Sequence, residues 1–185
     1  IQRKMLDKGE SIPGGRRILH GKAITVSPAD FAYSCRCDYC RKLWDENGGH
    51  YGTASRVLGQ FVADLGREVK KRWPDMTVIY LTYKNYTLAP EGVEFPDNIQ
   101  VQICGMPGLA QYKDDVIRET MQKNVDAWVR LTGNRIQNWH YSCWPANRTK
   151  AAYLFPHVIK NYYLDNRQKT VGSFINGVKD HWPRQ

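Results

Sequence analysis

Apolar, β-branched runs separated by helical periodicity restrict the fold of this chain more than any other feature. Five such runs read as strands: Ile24–Ser27, Thr77–Tyr83, Ile99–Cys104, Ile136–Tyr141 and Val171–Ile175. Between the first two, Val57, Leu58, Phe61, Val62, Leu65 and Val69 recur at helical spacing. Thr53 or Ser55 is available there as an N-cap, and Pro74 acts as a stop. Between the third and fourth strands, Val116, Met121, Val125, Trp128 and Val129 mark a second helix that Gly133 closes. A third helix is predicted from Lys150 to Leu164, with Pro156 confined to its first turns. The link from Tyr83 to Ile99 carries Pro90, Gly92 and Pro96, which predicts a loop or a very short helix. Strands alternating with helices in this way imply right-handed crossovers and a parallel sheet, so the class is α/β.

The chain has 185 residues, 42% of them hydrophobic, which is enough to bury a core and excludes a disordered or collagen-like polymer. No run approaches the roughly 18 uncharged apolar residues of a membrane-spanning helix. The net charge of +9 raises the question of nucleic acid. The cations are poorly clustered, however. Arg67, Lys70, Lys71 and Arg72 lie in the first helix interleaved with Asp64 and Glu68, the pattern of a solvated helix face, and no nucleic-acid partner is expected. At this length the chain is one ordinary domain or about three quarters of a barrel that typically takes roughly 250 residues. The segment before Ile24 shows no capped element, and His181-Trp182-Pro183 follows the fifth strand where a covering helix is due. The expectation is therefore part of a larger domain.

In parallel α/β folds, ligands bind at the carboxyl ends of the strands. Those positions hold Asp30 after the first strand, Tyr83 after the second and Cys104 after the third. Trp139, His140, Tyr141 and Trp144 belong to the fourth strand end, and Asn176 to the fifth. Sugar rings lay their C–H faces against indole and phenol rings, while their hydroxyls need Asp, Asn, His and Tyr partners, so an oligosaccharide cleft suits this rim. Asp30 closes a strand behind Pro28 and is the candidate catalytic carboxylate. Glycoside hydrolysis needs a second carboxyl; Asp45, Glu46 and Asp180 are available, but capping a loop is the commoner fate of such acids. His140 could donate to a sugar hydroxyl, act as a general acid, or simply pack; contact with substrate is the expectation adopted.

Three of the five cysteines fall in Cys35-Arg36-Cys37-Asp38-Tyr39-Cys40. They could supply three zinc ligands with His50, Cys104 or Cys143 as the fourth, form a disulfide in an oxidising compartment, or be buried and reduced. Disulfide and zinc stand level, and no cofactor is otherwise called for. Asn85-Tyr86-Thr87 and Asn147-Arg148-Thr149 are N-glycosylation sequons, which fits a secreted or extracellular protein.

Ile24-Thr25-Val26-Ser27-Pro28-Ala29-Asp30, the three-cysteine segment, the helix ending Arg72-Trp73-Pro74-Asp75 and the strand ending Leu81-Thr82-Tyr83 together resemble the domain-of-unknown-function 4838 family. Its members are similar to glycoside hydrolases and often accompany a domain like the N-terminal part of α-glucuronidases. The resemblance runs from about Ile24 to Gly177. It implies a (β/α)8 TIM-type barrel of which this chain supplies the later strands, a partial barrel. It also implies activity on, or binding of, carbohydrate, with Asp30 as the motif residue. Relatives often place an acidic residue near the fifth strand, where this chain reads Phe174-Ile175-Asn176-Gly177. The resemblance thus supplies one carboxylate and not two. The expected function is a glycoside-hydrolase-like protein, and the alternative is a catalytically inactive carbohydrate-binding or structural surface protein.

Overall fold

The computed structural model describes Lys8 and residues 19–20, 22–28, 30–106, 114–140 and 156–175. Six strands form one sheet in strict chain order: β1 (Leu19–His20), β2 (Ala23–Val26), β3 (Thr77–Thr82), β4 (Ile99–Met106), β5 (Ile136–His140) and β6 (Thr170–Ile175). All pairings from β2 to β6 are parallel. The five predicted strands are therefore present and run the same way. β1 is new: it pairs antiparallel with β2, His20 opposite Ala23.

Two single-turn helices, α1 (Asp38–Arg41) and α2 (Gly49–Gly52), follow β2 and precede the long α3 (Ser55–Arg72). α4 (Asp115–Thr132) links β4 to β5, and α5 (Pro156–Asn166) links β5 to β6. The β3–β4 link holds only a 3-10 turn at Lys84–Tyr86, as its prolines and glycine predict. α5 includes Pro156 and runs on to Asn166; the predicted start at Lys150 lies outside the described residues. Gly133 ends α4 with φ +68°, its N–H donating to the Val129 carbonyl at 3.0 Å. Asp114 caps the other end by accepting from the N–H groups of Val116 and Ile117 at 3.0 and 3.2 Å. The expected cap of α3 is corrected. Thr53 closes α2, Ser55 is already the first helical residue, and the N-cap is Ala54, whose N–H donates to the Asn85 carbonyl at 2.8 Å.

The alternation of side chains along each strand sorts the sheet into two faces. In the observed register, Ile24, Val78 and Ile99 share one row, Val26, Tyr80 and Val101 the next, and Thr82, Ile103 and Asn138 a third. This face is the core. Val57, Leu58, Val62 and Val69 of α3, Met121, Val125 and Trp128 of α4, and Tyr162 of α5 all pack on it. Each fully buried aliphatic side chain contributes about 1.5–3 kcal/mol relative to exposure. Helices on one face, with each crossover advancing the sheet by a single strand, make the fold singly wound.

α3 approaches the β3–β4 link closely because it presents Gly59, Ala63 and Gly66 at helical spacing. A Cβ on Gly59 would lie 2.8 Å from Pro90 Cγ, and one on Gly66 would lie 2.5 Å from Ile99 Cδ1 and 3.0 Å from Pro96 Cγ. From the other side, Trp128 Nε1 and Asn124 Nδ2 both donate to the Thr87 carbonyl, at 3.0 and 3.2 Å. Three cations of α3 are engaged with acids: Arg67 with Asp64 at 2.7 Å, Lys71 with Glu68 at 2.6 Å, and Lys70 with Asp97. That surface is an ion-paired helix face. No described helix is long and apolar enough to cross a membrane.

Gly66→Val should therefore destabilise the fold by about 1–3 kcal/mol through overpacking, although leaving glycine raises helix propensity. Urea denaturation followed by circular dichroism reads the effect; an unchanged midpoint would mean that α3 stands off the β3–β4 link.

Candidate functional site

The second sheet face is more polar, and its rows run Thr25–Ile79–Gln100 and Leu81–Gln102–Gln137. Its last row, at the carboxyl ends, pairs Cys104 with Trp139 and Trp139 with Phe174. Tyr83 keeps an extended backbone, φ −157° and ψ 155°, so the β3–β4 register carried one residue further sets it beside Cys104. The rim of this face thus reads Tyr83, Cys104, Trp139, Phe174 across four neighbouring strands. The Trp139 and Phe174 rings are 4.3 Å apart between centroids, and Phe174 is exposed. The indole N–H of Trp139 is buried and has no hydrogen-bond partner among the described residues.

Asp30, exposed in the loop after β2, meets the start of this row through a hydrogen bond with the Tyr83 side chain. The Tyr83 phenol is pushed up to about 12, by burial first, then by the hydrogen bond and charge of Asp30 and by Cys104. It therefore keeps its proton at neutral pH. Tyr86 completes the group. Burial, with Cys104, Tyr83 and Asp30 nearby, pushes its phenol up to about 12, and its hydroxyl has no partner among the described residues.

Two features hold the Asp30 loop. Asn85 makes a reciprocal pair with Tyr33, accepting from its N–H at 2.9 Å and donating from Nδ2 to its carbonyl at 3.0 Å. Lys84, just before it, adopts φ +49°, a left-handed conformation that costs a non-glycine residue energy and that tends to persist where a site needs it. Its ammonium lies 5.1 Å from the Tyr83 ring centre. Asn85 was nominated as a glycan acceptor; here both polar ends of its amide serve the loop, and Thr87 is buried with its hydroxyl donating to the Lys84 carbonyl at 2.8 Å.

Further along the same loop the Sγ atoms of Cys35, Cys37 and Cys40 lie within 4.8 Å of one another. No disulfide joins the described cysteines. The Tyr33 hydroxyl is 3.4 Å from Cys40 Sγ, and Trp44 Nε1 donates to the Cys35 carbonyl at 2.9 Å. The Arg36 guanidinium stacks 3.9 Å above the Trp44 ring. The Cys35 thiol is lowered to about 7, chiefly by the backbone N–H of Cys37 and then by neighbouring thiols. His50 and Cys104 do not join the cluster.

Of the predicted site residues, Asp30, Tyr83 and Trp139 stand at the carboxyl ends of the strands as expected. Tyr141, Trp144, Asn176 and Asn147 lie outside the described residues, as do Cys143 and Asp180. Asp45 caps the turn at Glu46–Gly48, accepting from the Asn47 N–H at 3.0 Å, and is a loop cap. His140 is a correction. It alternates with Trp139, so it faces the core, where it is wholly buried beneath α5. Its Nδ1 meets the Tyr163 hydroxyl at 3.2 Å, while Tyr162 donates to Asn138 Oδ1 at 2.8 Å. A ligand over the rim row does not reach it. Lys84 and Tyr86 follow the second strand beside Tyr83, whereas Phe174 is the site residue that the strand-end reading leaves out. Phe174 sits in the fifth predicted strand two places before Asn176, and strand period could have found it, whereas the strained φ of Lys84 has no sequence signal.

A family model described as Domain of unknown function (DUF4838) matches residues 19–176, and the chain belongs to that family. No curated protein and no solved structure matches the chain.

Burial lowers the His140 imidazole to about 4 from an ordinary value of 6.5. The folded state thus keeps it neutral where the unfolded chain takes up a proton. Stability should be full above pH 6.5 and should fall by about 3 kcal/mol as pH drops from 6.5 to 4. Urea midpoints measured across that window check this, and His140→Phe should flatten the slope; an equally steep slope in that variant would move its origin to other groups.

Proposed function

We propose that this member of the DUF4838 family is a glycoside-hydrolase-like protein that binds an oligosaccharide across the rim formed by Tyr83, Trp139 and Phe174, with Asp30 orienting or protonating the sugar at one end. The observation that carries the reading is the shared row. A carboxylate and three aromatic rings occupy one edge of one sheet face, at the ends of the strands where α/β folds bind ligands. Tyr83 and Phe174 are three strands apart, about 14 Å at the usual strand spacing, a span suited to several sugar rings. The one-strand steps and one-sided helices support a (β/α)8 barrel as the complete architecture, in which the second face would line the interior and its rim the active-site mouth.

Binding without hydrolysis is the second reading, and one observation favours it. The ionisable groups that Asp30 shifts are the phenols of Tyr83 and Tyr86, whereas hydrolysis needs a second carboxyl about 5 Å away for retention or roughly 6.5–9.5 Å away for inversion. Lys84 beside the Tyr83 ring offers a cation for an acidic sugar, so uronic-acid-containing and neutral oligosaccharides should be screened together. Export from the cell belongs to the same proposal, because polymeric glycans are met outside it.

Trp139→Ala is expected to weaken glycan binding by roughly 2- to 10-fold, the worth of one aromatic contact. Asp30→Asn should cut turnover by about 10²–10⁴-fold if the carboxyl moves a proton. Binding by the wild type with no turnover selects the second reading. Unchanged binding and turnover in both variants would place the glycan site elsewhere.

A further inference from the structure

We propose that Cys35, Cys37 and Cys40 bind one Zn²⁺ through three thiolates, and that the ion holds the loop carrying Asp30. The three sulfurs converge on a point, all within 4.8 Å of one another. Thiolates at about 2.3 Å around a tetrahedral zinc stand roughly 3.8 Å apart, so closing the site asks each sulfur to move by about 1 Å at most. A disulfide draws two sulfurs to about 2.05 Å and leaves the third without a task. The local backbone accounts for the convergence. Cys35 sits in irregular chain, Cys37 precedes α1 with an extended backbone, and the single turn of α1 brings Cys40 back under Cys37, with the Arg41 N–H donating to the Cys37 carbonyl at 2.9 Å.

The surroundings suit a thiolate metal centre. Cys40 is buried, whereas Cys35 and Cys37 reach solvent, which gives the ion an entry path and leaves its fourth position to water. The Tyr33 hydroxyl, 3.4 Å from Cys40 Sγ, is placed to hydrogen-bond a coordinated sulfur. Three thiolates and Zn²⁺ carry one net negative charge, and Arg36, Arg41 and Lys42 supply positive charge within the same segment. An all-sulfur set selects a soft or borderline ion over Mg²⁺ or Ca²⁺. The ion would close the loop between its two other fixed points, the Tyr33–Asn85 pair and the Trp44 indole on the Cys35 carbonyl. This inference does not depend on the glycan reading.

The test is metal analysis of the reduced 185-residue chain after loading with Zn²⁺ and gel filtration, together with Co²⁺ substitution. One zinc per chain and thiolate-to-cobalt charge-transfer absorption are expected. Because the thiols give up protons on binding, zinc should be lost as pH falls. Cys35→Ser and Cys37→Ser alter exposed side chains, so the fold should persist while zinc is lost and proteolysis between Asp30 and Trp44 speeds up. Cys37→His should retain the metal with a weaker sulfur absorption. A chain that stays metal-free while folded, zinc that survives both serine variants, or a cysteine bridge among the three in the freshly isolated protein would each overturn the proposal.

Discussion

Everything in this molecule rests on β2 to β6 lying parallel, in chain order, with all three long helices on one face. Parallel pairing sends every strand end to the same edge, and one-sided helices leave the other face to present its own side chains there. Apolar rows such as Val26–Tyr80–Val101 seal against the helices, while the opposite rows carry Gln100, Gln102 and Gln137. Such polar rows would be costly inside a two-sided core, because buried amides need full sets of partners. On a face that borders water or a ligand they are tolerated, and Gln102 and Gln137 lie within 3.4 Å of each other across the strands.

A rim of strand ends becomes a specific site only when its loops are held. The loop after β2 is long, and its ordering entropy must be offset by contacts that tie it to something already rigid. The 3-10 turn after β3 is that anchor. It is clamped from α4 through Trp128 and Asn124 on the Thr87 carbonyl, and it offers Asn85 to Tyr33. A glycine-lined approach of α3 to Pro90 and Pro96 holds the rest of the same link. Core packing, far from Asp30 in sequence, thereby anchors the loop that carries Asp30.

Much of this was legible beforehand, because period and breakers act locally. The five strands, the helix ending at Gly133, and the helix-free link with Pro90, Gly92 and Pro96 all follow from residues within one turn or one strand of the feature they determine. β1 escaped notice because two residues are too short for alternation; the Gly21-Lys22 pair was its only signal. The α3 cap was misread because Thr53 and Ser55 both look like caps, while the N-cap position falls on Ala54, whose own N–H is tied to the distant Asn85 carbonyl. Long-range hydrogen bonds of this kind leave no local trace.

The error at His140 has a different origin and a general lesson. Trp139 and His140 were both assigned to one cleft, yet adjacent residues in a strand project to opposite faces, so at most one could line it. Which one is decided by where α5 packs. Tyr162 and Tyr163 bring phenols to Asn138 and His140, and polar groups buried in the sheet take those partners and leave the aromatic to the open side. The same parity that excludes His140 admits Phe174, which lies opposite Trp139 in register. Strand parity, applied before any residue is chosen for its chemistry, turns a list of attractive side chains at a strand end into one row that a single ligand can touch.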